Sequence, residues 1–411
     1  MESVNVVIDD AVSEGESVEN CDRDGDLISS SDPTEPSMSE SSLGKPETPE
    51  KKTLPQDRDK DPKEPSTRQA PRGWYERLTS YLKEHGFSRG GADRTLFIRH
   101  VDETITIAQI YVDDIIFGSP LESLAYEFAE CLKQEFEMSM VGELSYFLGL
   151  QVRQTEDGLF ISQSKCAKDL VKRFGLDSKK HTRTPMSTSL KLGRDPSGKI
   201  VDPSLYRSII GSLLYLTATR PDITFSVGVC ARFQTDPKES HLSSVRRIIR
   251  YVSGTVDLRI FYSRNSNLDL AGYSDADWAG NADDRKSTTW GCFYMGSSLV
   301  AWLSKKQNSI SLSMAEAEYI AAVSCCTQLL WMKQMLSDYG ISQGTMTIFC
   351  DNTSAINISK NPIQHSRTKH IDIRHHFIRE LVESHVISLD HVSTNNQLAD
   401  LLTKPLNRLR F

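Results

Sequence analysis

Several features are scarce in this sequence, and each scarcity removes a class of protein. No stretch of about 18 apolar residues free of charge occurs in the 411 residues, so no membrane-spanning helix is expected and a membrane is not among the expected partners. The start, Met1-Glu2-Ser3-Val4-Asn5, has neither the basic region nor the apolar run of a secretory signal. Eight cysteines are scattered without a Cys-x-x-Cys pair or a Cys/His zinc spacing. That pattern predicts reduced thiols in an intracellular protein, in the cytoplasm, the nucleus or both. No internal repeat is visible. The net charge is -7, so no overall positive field draws in nucleic acid. Aromatic residues are missing from the first 69 positions, which are rich in Ser, Glu, Asp, Pro and Lys. Such a segment cannot bury enough apolar surface to offset its ordering entropy, so residues 1–69 are predicted to be a disordered acidic linker.

From Pro71 onward the pattern is that of a folded chain, and the length predicts two or three domains. Trp74, Leu78 and Leu82 recur at helical spacing and predict a helix over 73–85, closed by Gly86. Strands are predicted at 95–98 and 104–111. Ile110 to Gly118 then sets Asp113 and Asp114 between two apolar runs, which predicts a hairpin with both carboxylates at its tip. An ordinary acidic turn is the plainer reading of the same residues. A helix at 121–136 follows, then strands at 146–152 and 159–162, and a basic amphipathic helix at 164–174. A proline-bearing loop at 182–203 leads to helices at 205–217, 222–233 and 240–252. Lys168 and Lys172 on the first of these basic helices, and Arg246, Arg247 and Arg250 on the last, read either as a solvated face or as contacts to a nucleic-acid backbone.

The second half is organised around four acids. Strands are predicted at 268–273, 292–295, 300–303, 346–350 and 386–389, with helices at 313–339, 353–359 and 371–384. Ser313 with Glu316, and Thr394 with Gln397, match the capping box that opens a helix. Asp275 and Asp351 fall at strand ends, and Glu318 and Asp400 in the first turns of helices. Such positions converge at one edge of a mixed sheet. Carboxylates suit hard divalent ions that also contact phosphate. Two such ions about 3.5–4 Å apart serve opposite sides of a phosphodiester. Clustered acids repel one another when empty, so a dependence on two Mg2+ ions is expected, with Mn2+ as a substitute. Asp277 and Glu316 are read as solvated surface. Lys369 and His370, in the densest histidine run, are read as nucleic-acid contacts, and His391 as a proton carrier on the product side.

These motifs carry a resemblance. Tyr111 to Gly118 resembles the second catalytic carboxylate motif of reverse transcriptases from Ty1/copia-type LTR retrotransposons, and Ala301-Trp302-Leu303-Ser304-Lys305-Lys306-Gln307 with Leu398 to Pro405 resembles their tethered ribonuclease H. The resemblance runs from about Ala70 to Leu406. It implies a fold of α/β and α+β class, with a partial reverse-transcriptase palm and thumb at 70–255, a linker at 256–267, a ribonuclease H-like five-stranded mixed sheet with helices at 268–406 and a tail at 407–411. It implies Asp275, Glu318, Asp351 and Asp400 as the nuclease ligands, Asp113 as a polymerase metal ligand and Asp114 as its neighbour. RNA–DNA hybrid is the implied substrate, and a full-length retroelement polymerase an implied partner.

One departure bears on activity. The family requires another aspartate on an earlier strand, together with the fingers, and the sequence passes from the polar linker straight into Ala70-Pro71-Arg72. The sequence is therefore expected to have lost that block, and polymerisation is not expected. Three readings stand: a working ribonuclease H on a polymerase remnant, a decayed product that at most binds nucleic acid, and an RNA-directed DNA polymerase completed by another chain.

Overall fold

The computed structural model describes residues 6–9, 70–177, 179–187, 191–361, 371 and 375–400. Lys369, His370, the tail at 407–411 and nearly all of the linker at 1–69 lie outside the described residues. The chain divides into two compact units, Ala11–Tyr81 and a larger one made of Met1–Asp10 with Leu82–Phe411. The larger unit contains three sheets.

Four linker residues form strand β1 (Val6–Asp9), contrary to the reading of 1–69 as disordered throughout. The run Val-Val-Ile is short but β-branched, and it finds partners on both sides. After helix α1 (Ala70–Glu84) come β2 (Ser88–Arg89), β3 (Leu96–Val101), β4 (Thr104–Tyr111) and β5 (Asp114–Gly118). Helix α2 (Glu122–Glu135) and β6 (Ser139–Glu143) follow. The sheet order is β2-β3-β4-β5-β1-β6. In β1, Ile8 pairs with Ile115 of β5, and Asp9 pairs with Ser139 of β6. An acid-bearing strand does precede α1, which corrects the expectation of none. Helix α2 buries Ala125, Phe128, Ala129 and Leu132, and the Phe128 ring meets Phe117 at 4.9 Å.

The second sheet joins β7 (Tyr146–Phe147), β8 (Leu150–Thr155), β9 (Gly158–Ser162) and β10 (Ile260–Ser263) in the order β10-β9-β8-β7. Strand β10 lies within residues 256–267, expected as a linker, and its four residues pair with β9. Between these strands, α3 (Ser164–Arg173), α4 (Pro203–Leu216), α5 (Pro221–Ala231) and α6 (Glu239–Ser253) surround a core that includes Tyr206, Ile210, Leu213, Val227 and Ile248.

The third sheet is mixed. Strands β11 (Leu270–Asp277), β12 (Thr288–Met295) and β13 (Ser298–Lys306) form an antiparallel meander. Strands β14 (Met346–Cys350) and β15 (Ile387–His391) add in parallel on the other side of β11, giving the order β13-β12-β11-β14-β15. Helix α7 (Met314–Asp338) covers one face, with α8 (Thr353–Lys360) and α9 (Phe377–Glu383) beyond it. Gly291 allows the close approach of α7, since a Cβ there would sit 2.7 Å from Cys325 Sγ. The opposite face carries Trp290, against which Phe225 of α5 packs with ring centroids 5.7 Å apart. The indole of Trp302 on β13 donates to the Thr217 carbonyl at 3.2 Å, so the upstream helices line this face. This is a five-stranded mixed sheet with helices, as the resemblance implied.

Candidate metal centre

The four acids are held by four different segments. Asp275 lies in β11, whose antiparallel pairing sets it opposite Trp290. Asp351 follows the last residue of β14, and Glu318 is the fifth residue of α7. Asp400 is the last of the described residues and is in helical conformation.

The start of α7 is tied down on two sides. Ser313 accepts from the Glu316 N–H at 3.1 Å, and Glu316 returns a bond by accepting from Leu312 N–H at 2.6 Å. The Ser313–Glu316 capping pattern is therefore present, closed on Leu312. Glu316 is 6 % exposed, which corrects its reading as solvated surface. Gln307 completes the anchorage. Its amide donates to Thr289 at 3.1 Å and to the Ala317 carbonyl at 2.9 Å, joining the sheet to the residue before Glu318.

Asp275 and Glu318 share one donor. The Ala276 N–H lies 2.9 Å from Asp275 Oδ1 and 3.2 Å from Glu318 Oε1. Glu318 Oε2 has no hydrogen-bond partner, although Glu318 is only 4 % exposed. Burial pushes both carboxyls above the usual carboxylate range, and neighbouring acids add to it. Asp275 thus feels the charges of Asp351 and Asp400, and Glu318 those of Asp275 and Asp351.

Thr394 and Gln397 do not form the expected capping box. Residues Thr394–Asn396 form a short 3-10 turn without a side-chain cap. The Thr394 hydroxyl donates instead to Asp351 Oδ2 at 3.0 Å, and the Gln397 amide donates to the Ser274 carbonyl at 2.9 Å. Both residues serve the acids through contacts distant in sequence. A carboxylate oxygen of Glu318, one of Asp351 and the sulfur of Cys350 all lie within 4.8 Å of one another. This cluster can coordinate a metal ion. A buried carboxylate oxygen without a donor fits a hard divalent cation, whose preferred ligands are oxygens.

The remaining predicted residues fall in different places. His391 ends β15, is exposed and pairs in register with Cys350. Asp277 is not solvated surface: it accepts from the Thr288 N–H, and burial raises its pKa although Arg232 lies near. Asp113 sits exposed in the two-residue turn between β4 and β5, and Asp114 pairs with Tyr111 across it. The turn bends through Val112 at φ 53°, an uncommon conformation for a β-branched residue. Lys168 and Lys172 are exposed on α3. Arg246 pairs with Glu239 at 3.1 Å, and Arg247 donates to Thr184 Oγ1 at 2.9 Å. Arg250 is half-buried. Arg247 is likewise half-buried and is bonded to Thr184.

Comparison with known proteins agrees with this organisation. A family model described as reverse transcriptase (RNA-dependent DNA polymerase) matches residues 65–188. The chain is 40 % identical over 345 residues to the retrovirus-related Pol polyprotein from transposon RE1 of Arabidopsis thaliana, covering 84 % of this chain and 24 % of that one. It is 31 % identical over 258 residues to a putative transposon Ty5-1 protein of Saccharomyces cerevisiae, covering 62 % of this chain and 84 % of that one. A crystal structure of LC11-RNase H1 in complex with RNA/DNA hybrid aligns at 13 % identity with a TM-score of 0.26, over 33 % of this chain and 93 % of that one. The chain therefore carries a segment that matches the reverse-transcriptase family model, followed by a five-stranded mixed sheet. The chain belongs to the Pol polyproteins of Ty1/copia-type retrotransposons, and it spans about a quarter of the length of the first curated relatives it matches, 24 % for the RE1 polyprotein.

Proposed function

We propose that this chain hydrolyses the RNA strand of RNA–DNA hybrids endonucleolytically, through Asp275, Glu318, Asp351 and Asp400. The observation that carries this reading is the buried Glu318, whose Oε2 has no hydrogen-bond donor and whose carboxyl lies beside those of Asp275 and Asp351. Those four residues would hold two Mg2+ ions, with Mn2+ as a substitute. When bound, the ions supply an activated water and charge stabilisation for the departing 3′ oxygen. Thr394 orients Asp351, Gln397 sets the segment of Asp400, and Gln307 sets the height of Glu318. His391, exposed at the neighbouring strand end, takes up a proton on the product side. Exposed Lys168 and Lys172 lie along the hybrid backbone, and discrimination comes from groove shape and the 2′-hydroxyl.

The polymerase part is proposed as residues 70–255, holding duplex without copying it. A full-length retroelement polymerase is the proposed protein partner, in the cytoplasm or nucleus. The nuclease part is proposed as residues 268–406. The test is cleavage of a labelled RNA–DNA hybrid in magnesium by the parent, Asp275→Asn and Asp351→Asn. Cleavage by the parent alone is the expected result. Cleavage retained in either variant removes the site assignment, and an inactive but folded parent means that the acids are relics.

A further inference from the structure

Cys350 closes the inner wall of the carboxylate cluster, and its sulfur is a donor for which a magnesium site has no use. The residue ends β14 and is fully buried. Its Sγ lies within 4.8 Å of carboxylate oxygens of both Glu318 and Asp351, which in turn are within that distance of each other. A second observation points to a cation here independently of the thiol. Glu318 Oε2 is withdrawn from water and has no hydrogen-bond donor. An acceptor in that state is costly unless a cation or proton answers it. Hard ions engage oxygen and leave sulfur aside, whereas softer divalent ions favour thiolate and tolerate carboxylate beside it.

We propose that Glu318, Cys350 and Asp351 form a binding site for a thiophilic divalent cation of the zinc and cadmium class. The cation enters from the Asp351 side, since that residue is only half-buried. On binding, the Cys350 S–H bond breaks and its proton leaves to solvent. The sulfur electron pair then forms the bond to the cation, and nothing is oxidised or reduced. Occupancy removes Glu318 and Asp351 from any other metal, so such a cation inhibits the nuclease. That inhibitory consequence rests on the function proposed above, while the binding rests on the geometry alone.

The test is titration of the reduced full chain with cadmium chloride in the absence of magnesium, followed by the sulfur-to-cadmium charge-transfer band in the ultraviolet. Parent, Cys350→Ser and Glu318→Gln are compared, with circular dichroism to establish that each is folded. The parent is expected to show a tight band-forming component. Cys350→Ser is expected to lack it, and Glu318→Gln to require roughly tenfold more cadmium or higher. No band in the parent, the same tight component in folded Cys350→Ser, or an unshifted titration in Glu318→Gln overturns the proposal. If Cys350→Ser does not fold, the Glu318→Gln titration decides alone. A parent that binds cadmium but does not cut hybrid keeps this site and loses the nuclease reading. A parent that cuts hybrid but forms no band does the reverse.

Discussion

The side-chain amide of Gln397 donates to the backbone carbonyl of Ser274 across 2.9 Å, linking the residue before Asp275 to the turn that leads into Asp400. Gln397 is 3 % exposed and Ser274 is fully buried, so water does not compete for this bond. Gln397→Ala is expected to leave the fold in place and to displace Asp400 from the other acids. A displacement near 1 Å costs on the order of 100-fold in rate. Hybrid cleavage measured against magnesium concentration checks it, with a higher magnesium requirement as the mark of misplacement. Parent-like kinetics in the variant sink this role.

The raised pKa values make stability depend on pH in a definite direction. Asp275 is pushed up to about 6, and Glu318 further, with burial the first cause in both. Their unfolded values lie near 4. Between those limits the folded chain binds more protons than the unfolded chain, so metal-free stability falls as pH rises through the folded values. On the proposed function, bound magnesium would replace the protons and offset the loss. The melting temperature without magnesium is expected to drop from about pH 5 to about pH 8. The rise caused by magnesium is expected to be larger at the upper end. Equal magnesium effects at both ends contradict the assignment.

Helix α5 begins on a buried ion pair. Arg220 donates to both carboxylate oxygens of Asp222, at 2.9 and 2.8 Å, and also to the Thr255 carbonyl and hydroxyl at 3.1 and 2.7 Å. Asp222→Ala leaves a buried guanidinium without its counter-charge. A loss of about 3–5 kcal/mol is expected in urea unfolding. Replacing both partners by apolar residues is expected to cost less than the single change. A loss under about 1 kcal/mol from Asp222→Ala contradicts this reading.

Asp113 lies in a turn of the first sheet, whereas of the four acids proposed for the nuclease Asp275 lies in the third sheet, Asp351 just after its strand β14 and Glu318 in α7. Asp113→Asn is expected to cut hybrid at the parent rate, and a large loss means that the two sites act as one. The parent is expected not to extend a primer on an RNA template. Should extension occur, Asp9 becomes the residue to test, since it lies on β1, the strand paired with β5. Both Asp9→Asn and Asp113→Asn must then abolish the extension.

The placement of Asp275, Glu318 and Asp351 was legible because each lies near the end of an apolar strand or in the first turns of a helix with a marked start. Asp113 and Asp114 were legible for the same reason, at the tip of two alternating strands. Gln307, Thr394 and Gln397 were not legible as supports, because their bonds run to residues far along the chain and leave no periodic trace. Thr394 and Gln397 even misled, since a local capping pattern was outcompeted by bonds to Asp351 and Ser274. Strands β1 and β10 escaped notice because four residues in polar surroundings gain their strand character from partners rather than from pattern. The burial of Asp277 and Glu316 followed from tertiary closure of loops over them, which residue type alone does not reveal.

The packing of Phe225 on Trp290, with the Trp302 indole bonded to Thr217, bears on how such a chain comes apart. A protease that nicked the backbone near Asp257 would not release two independent pieces. The upstream helices would stay seated on the aromatic face of the third sheet, and the halves would elute together from a sizing column. Sequence decay confined to the upstream half would strip that cover and leave indoles facing water. The downstream half therefore inherits the fate of a neighbour whose own chemistry it does not need.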